Sequence, residues 1–130
     1  MPSKNVGHQL YAHLTWCTAE RMCWIKGTTE SALKEIIGNA CAEMGYEILA
    51  METVPDHVHL LVRFHPQHQL AQLVKTIKGR SSRLIARETG GFKWQEGYGV
   101  NTVGLKALED AIHYVKNQKE RHSDRFTDKP

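Results

Sequence analysis

Two histidines one residue apart, His57 and His59, are the side chains of this 130-residue chain best placed to do chemistry together. They lie in Pro55-Asp56-His57-Val58-His59-Leu60-Leu61-Val62, where residues alternate after a Pro-Asp turn signal. A strand sends successive side chains to opposite faces. Val58, Leu60, Val62 and Phe64 then make an apolar face, and both imidazoles stand side by side on the other. Two neutral imidazoles at that spacing can hold one divalent cation. A strand bearing two hydrogen-bonded histidines has the same pattern, so the reading depends on a third protein ligand.

That ligand is available near the C-terminus. Leu105, Leu108, Ile112 and Val115 recur at steps of three and four and predict a helix from about Leu105 to Arg121. Tyr114 falls about 140° from the middle of that stripe at roughly 100° per residue. Gln118 lies one turn further along the face of Tyr114, flanked by the small Ala107 and Ala111. Such a tyrosine can be plain surface. It can also be a nucleophile, if its oxygen is aimed at an electrophile and a cation stabilises the developing charge. His57, His59 and Gln118 could supply three ligands to that cation. A set of imidazole nitrogen and amide oxygen suits Mg²⁺ or Mn²⁺ and leaves positions open for a phosphate. One metal and one tyrosine suffice for phosphodiester transfer through a covalent phosphotyrosine.

The elements that must position these groups can be read in order. His8 to Cys17 alternates with Leu10, Ala12, Leu14 and Trp16 on the apolar parity, a first strand. Its His13 could be a further metal ligand, a polar-face residue or a DNA contact. A helix capped by Thr28 or Thr29 follows and stops at Gly45, with Leu33, Ile36, Ile37, Ala40, Cys41 and Met44 as its stripe. Tyr46 to Val54 and the His-Val-His segment make an antiparallel hairpin. A long helix runs from about Gln69 to Glu88, and Tyr98 to Val103 is a last strand. The order strand-helix-strand-strand-helix-strand is that of a ferredoxin-like α+β sandwich with one antiparallel sheet. The tyrosine-bearing helix is extra to that βαββαβ plan, and the whole of 1–130 reads as one domain.

Two features suggest a polyanionic partner. The long helix carries Lys75, Lys78, Arg80, Arg83 and Arg87 with no acid until Glu88, whereas solvated helix faces usually mix signs. Ser81 and Ser82 could add hydrogen bonds to phosphate. Trp94 and Tyr98, close to Lys93, could stack on single-stranded bases, although both are also ordinary strand residues.

The totals agree with a soluble globule: 41% hydrophobic, 24% charged, net charge +3. No apolar run is long enough to cross a bilayer, and the N-terminus does not resemble a signal peptide. Cys17, Cys23 and Cys41 form no C-x-x-C pair, which suits a reduced cytoplasmic protein. Cys41, on a helix stripe, is a core residue.

Four stretches together resemble the single-tyrosine HUH transposases, the TnpA-like enzymes of the insertion-sequence 200/605 family. They are Asp56-His57-Val58-His59, Lys78-Gly79-Arg80-Ser81-Ser82-Arg83, Trp94-Gln95-Glu96-Gly97-Tyr98-Gly99-Val100 and Tyr114-Val115-Lys116-Asn117-Gln118. Asn101-Thr102 departs from the family's usual residues there. The resemblance implies a metal-dependent single-stranded DNA transposase that cleaves and rejoins DNA at hairpins near the ends of an element. Tyr114 would form a 5′-phosphotyrosine. No ATP is required, and no Gly-rich Lys-Ser/Thr loop is present. It further implies a homodimer with Tyr114 of one chain working beside His57 and His59 of the other, in the cytoplasm and at the nucleoid of a bacterial or archaeal cell. Two other readings stand beside it: a domesticated relative that cuts dispersed genomic hairpins, and an inactive module that binds single strands. A metal-dependent hydrolase of small molecules is a third, disfavoured by the basic helix.

Overall fold

The computed structural model describes residues 7–121. The reading of residues 1–5 as no signal peptide falls outside them. Strand β1 is Leu10–Cys17, helix α1 Gly27–Met44, β2 Glu47–Val54 and β3 His57–Phe64. Helix α2 is Leu70–Thr89 and β4 Gly99–Val103. Helices α3 (Leu108–Lys116) and the short α4 (Gln118–Arg121) are the last of the described elements.

The four strands form one sheet in the order β2-β3-β1-β4, with every neighbouring pair antiparallel. This is the expected ferredoxin-like sandwich. Its cause is the period-two pattern of β1 and β3. Leu14 and Trp16 of β1 and Val58, Leu60 and Val62 of β3 share one face and are buried. Against them pack Leu33, Ile37, Ala40 and Cys41 of α1 and Leu73, Val74, Ile77 and Ile85 of α2. Truncating one of these, as in Leu60→Ala, would cost about 2–5 kcal/mol. Burial pushes the Cys41 thiol up to about 11, which leaves it an unreactive core residue.

Both long helices end where a glycine enters the left-handed region, Gly45 at φ 83° and Gly90 at φ 78°. At each, the glycine N–H closes the final turn on a carbonyl four residues back. At its N-terminus α1 begins at Gly27 after Lys26, with no side-chain cap, so neither Thr28 nor Thr29 serves as expected; Thr29 is buried.

The opposite face of the sheet is not bare. Helix α3 lies on it, with Leu108, Ala111, Ile112 and Val115 packed against Leu61 of β3, Ala50 and Leu49 of β2 and Val103 of β4. Leu61 shares the parity of the histidines, so one apolar residue in that row docks the helix beside them. The predicted single helix from Leu105 to Arg121 is broken. Residues Leu105–Ala107 form a 3-10 turn with Leu105 exposed, and Asn117 interrupts the helix before α4. Among the described residues no helix is long and apolar enough to cross a membrane.

Candidate active site

Register places the histidines. His59 pairs with Thr15 across β1 and His57 with Cys17, while His13 faces Leu61. His13 and His59 are therefore diagonal neighbours, within reach for aromatic rings. Gly99 faces Thr15 from the other side, and a Cβ on it would lie 2.7 Å from Thr15 Oγ1, so only glycine lets β4 approach here.

The ring nitrogens form a chain. His57 Nδ1 lies 2.7 Å from Asp56 Oδ1, His57 Nε2 lies 3.1 Å from His59 Nε2, and His59 Nδ1 lies 2.9 Å from His13 Nε2. Asp56 is buried and also accepts from Arg21 Nε at 3.1 Å. Burial opposes its charge, yet the bonds from His57 and Arg21 prevail and hold its carboxyl below the ordinary value. An ionised Asp56 requires a proton on His57 Nδ1. Burial lowers the pKa of His13, which favours a neutral ring able to accept from His59 Nδ1. Both outer nitrogens are then engaged, and the two Nε2 atoms point at one another.

That arrangement fits a cation. Two nitrogen ligands at about 2.1 Å and a right angle stand about 3 Å apart, and the observed separation is 3.1 Å. Asp56 and His13 stand where outer partners would fix the orientation of these histidines if they held a metal. His13, expected as a possible ligand, holds the rear nitrogen of His59 and does not share the Nε2 side. No group of three His, Cys, Asp or Glu among the described residues could hold a metal. A third ligand from these residues would have to be of another type, such as the amide expected at Gln118. That residue is fully buried, its amide nitrogen donating to the Tyr114 carbonyl at 2.8 Å, and its oxygen is the end a cation would take.

Tyr114 stands on the flank of the α3 stripe, 42% exposed. Its ring is edge-on to His13 and His59, with centroids 5.8 and 6.0 Å away. Within this single chain the tyrosine helix thus lies over its own histidines. A cleft of about 370 Å³ opens beside them, lined among others by Thr15, Arg21, His57, His59, Tyr98 and Gly99.

The predicted DNA-binding residues separate into three groups. Lys75, Lys78, Ser82, Trp94 and Tyr98 line a second cleft of about 520 Å³ between α2 and the loop before β4. Two of the Lys78 donors are taken by the carbonyls of Gln95 and Gly97, at 2.8 and 2.6 Å, so this lysine also anchors that loop. Arg80, Arg83 and Arg87 lie together on another face of α2, beside Ile36 of α1. Arg80 is paired there with Glu43 at 2.8 Å, which corrects the picture of a helix whose cations lack counter-charges. Ser81 forms the third group and is a correction. It is fully buried, donates to the Ile77 carbonyl and accepts from the Trp94 indole N–H, so it cannot meet phosphate. Trp94 is half-buried against Trp16 and Phe92, leaving it less surface for a base than Tyr98.

The family described as "Transposase IS200 like" matches residues 6–118. The ISDra2 transposase TnpA of Deinococcus radiodurans is 33% identical over 122 residues, covering 88% of this chain and 87% of the relative. The IS200 transposase of Salmonella typhimurium is 28% identical over 116 residues, covering 83% and 76%. Among solved structures, a candidate transposase from Deinococcus radiodurans superposes with a TM-score of 0.68 at 32% identity, over 85% of this chain and 92% of that one. A REP-associated tyrosine transposase bound to a REP hairpin superposes with a TM-score of 0.71, over 88% and 69%; at 16% identity it speaks for the fold alone.

Proposed function

This chain belongs to the IS200-like transposase family, and from that membership we propose that it cleaves and rejoins single-stranded DNA with Tyr114 as nucleophile. The observation that carries the proposal is the Tyr114 ring 6.0 Å from His59, whose Nε2 converges with that of His57. His57, His59 and the Gln118 oxygen would hold Mg²⁺ or Mn²⁺. When bound, the cation supplies Lewis-acid polarisation of the scissile phosphate.

The protein groups do the rest. The Tyr114 oxygen attacks phosphorus, forming an O–P bond as the bond to the 3′ oxygen breaks. The phenol gives up its proton, and the departing 3′ oxygen gains one. A 3′-OH later attacks the phosphotyrosine and frees the tyrosine. The phosphodiester energy is retained in the intermediate, so no nucleotide cofactor is consumed. Asp56 and His13 keep the two imidazoles oriented throughout.

The substrate proposed is single-stranded DNA with hairpins near the element ends, its backbone held by Lys75, Lys78, Ser82, Arg83 and Arg87 and its bases by Tyr98 and part of Trp94. The working form proposed is a homodimer joined at the exposed edge strand β4. In it the α3–α4 unit, docked on its own sheet in the single chain, would exchange onto the partner so that Tyr114 acts in trans.

The test is incubation with labelled single-stranded hairpin DNA from the flanks of the gene and Mn²⁺. A covalent adduct on a denaturing gel, mapped by mass spectrometry to Tyr114 and absent in Tyr114→Phe, is expected. An adduct on another residue, or a shift seen only on a native gel, would overturn the proposal.

A further inference from the structure

Resting on the reading of a single-stranded DNA substrate, we infer that Arg21 is a phosphate-binding residue of this site, its guanidinium holding the DNA backbone in the cleft that His57 and His59 line. Among the described residues Arg21 is the one lysine or arginine on the lining of that cleft, and Glu96 the one carboxylate. A polyanion entering there meets Arg21 as its fixed positive charge. A guanidinium suits the task, with donors in a planar fork that matches phosphate.

The orientation of this fork is set. Nε donates to Asp56 Oδ2 at 3.1 Å, which leaves the two terminal amino groups as its outward edge, and the side chain is 52% exposed. The same carboxylate meets His57 Nδ1 at 2.7 Å. One buried group therefore aims both the imidazole and the guanidinium.

The backbone makes the same point. Glu20 and Arg21 have φ of 57° and 55°, consecutive residues in the left-handed region that side-chain-bearing residues rarely adopt. Such conformations persist where the surroundings over-determine them, and they cluster at functional sites. Here the segment is laced to both walls of the cleft. Thr18 N–H donates to the Asp56 carbonyl and Ile25 N–H to that of Pro55, on the histidine side. Ala19 N–H donates to the Lys93 carbonyl, and Gln95 N–H to that of Cys17, on the side of the loop before β4.

The test uses the full chain as wild type, Arg21→Ala and Arg21→Lys, without metal, so that binding is read apart from cleavage. The probe is a hairpin oligonucleotide from the DNA flanking the gene. One neutral methylphosphonate is moved nucleotide by nucleotide through its single-stranded segment. In wild type, one position should weaken affinity by roughly tenfold or more. In Arg21→Ala that position should lose its effect while the others keep theirs, with Mn²⁺ affinity in the absence of DNA little changed. Should Arg21→Ala fail to fold, Arg21→Lys, which keeps the charge and loses the fork, should show the same loss in smaller degree. A methylphosphonate profile identical to wild type would overturn the inference. So would an Arg21→Ala protein whose Mn²⁺ affinity falls while its methylphosphonate profile keeps the wild-type position, since Arg21 would then act only through Asp56. A wild-type protein that binds no hairpin would instead remove the proposed function, and this inference with it.

Discussion

The Asp56 carboxylate takes hydrogen bonds from His57 Nδ1 and Arg21 Nε, and His13 takes the rear nitrogen of His59, so each candidate ligand has a partner behind it. Such partners commonly account for ten- to a hundredfold of metal affinity. Asp56→Asn should therefore weaken Mn²⁺ binding by about that factor, as read by calorimetry in the absence of DNA. His57→Ala should abolish adduct formation outright while hairpin binding persists. If the two functions fell together, the histidine would be a structural residue. At Gly99 the constraint is space. Gly99→Ala would set a Cβ against Thr15 Oγ1 and should destabilise the fold by about 1–3 kcal/mol in urea unfolding. Thr15→Ala in the same chain should recover much of the loss, and a double variant no better than the single would point to backbone strain instead.

At the scale of elements, α2 and α4 each do more than their composition suggests. The cations of α2 are divided between the cleft beside Trp94 and Tyr98 and the outer face near Ile36. Arg83→Ala should make the salt dependence of DNA binding shallower by about one unit. Arg80, already paired with Glu43, should give a smaller change. An Arg83 variant with an unaltered slope would place that face in solvent. Helix α4 is fastened by Lys119, which bonds the Glu30 carboxylate of α1 and the Thr53 carbonyl of β2. Burial works against the charge of Glu30, but the bonds from Lys119 and Thr53 outweigh it and lower its pKa. A lowered folded pKa means that the clasp is complete above the unfolded value and is lost as pH falls through the folded one. Protection of the α4 amides against exchange should accordingly fall as pH drops below the ordinary glutamate range, and Lys119→Ala should show that lower protection already at neutral pH. Exchange in Lys119→Ala equal to wild type would show that the docking rests on Val115 and its apolar neighbours alone.

For the whole molecule, the question is which sheet the tyrosine helix serves. In one chain α3 lies on its own β2 and β3, and the Tyr114 ring meets its own His13 and His59. The proposed dimer requires the α3–α4 unit to leave that face and take the partner's. Mixing Tyr114→Phe with His57→Ala protein tests this, because sharing in trans creates heterodimers with one intact site. Partial return of adduct formation is the expected result. A mixture as inactive as its components, with subunit exchange demonstrated, would establish the single-chain arrangement as the working one. The clasp at Lys119 bears on the same balance, since weakening it should ease exchange and raise the recovered activity.

Much of this protein was legible in the residues themselves. The alternation of β1 and β3 dictates which face is buried, and the repeat in α2 dictates which stripe packs on it, so the ferredoxin-like order follows from periods of two and 3.6. The same alternation puts His57 and His59 on one side, and helical spacing puts Tyr114 one turn from Gln118. What the periods cannot convey is which partners meet across the sheet. Register alone makes His13 the neighbour of His59, and a turn distant in sequence brings Arg21 onto Asp56. Ser81 reads as polar surface, yet the Trp94 indole and the Ile77 carbonyl satisfy its hydroxyl in the interior. Arg80 reads as unopposed until α1 supplies Glu43. Local pattern determined the elements and their faces, because these depend on backbone geometry repeated along the chain. Tertiary structure decided the pairings, because these depend on side chains that only the folded sheet and helices bring within hydrogen-bonding distance.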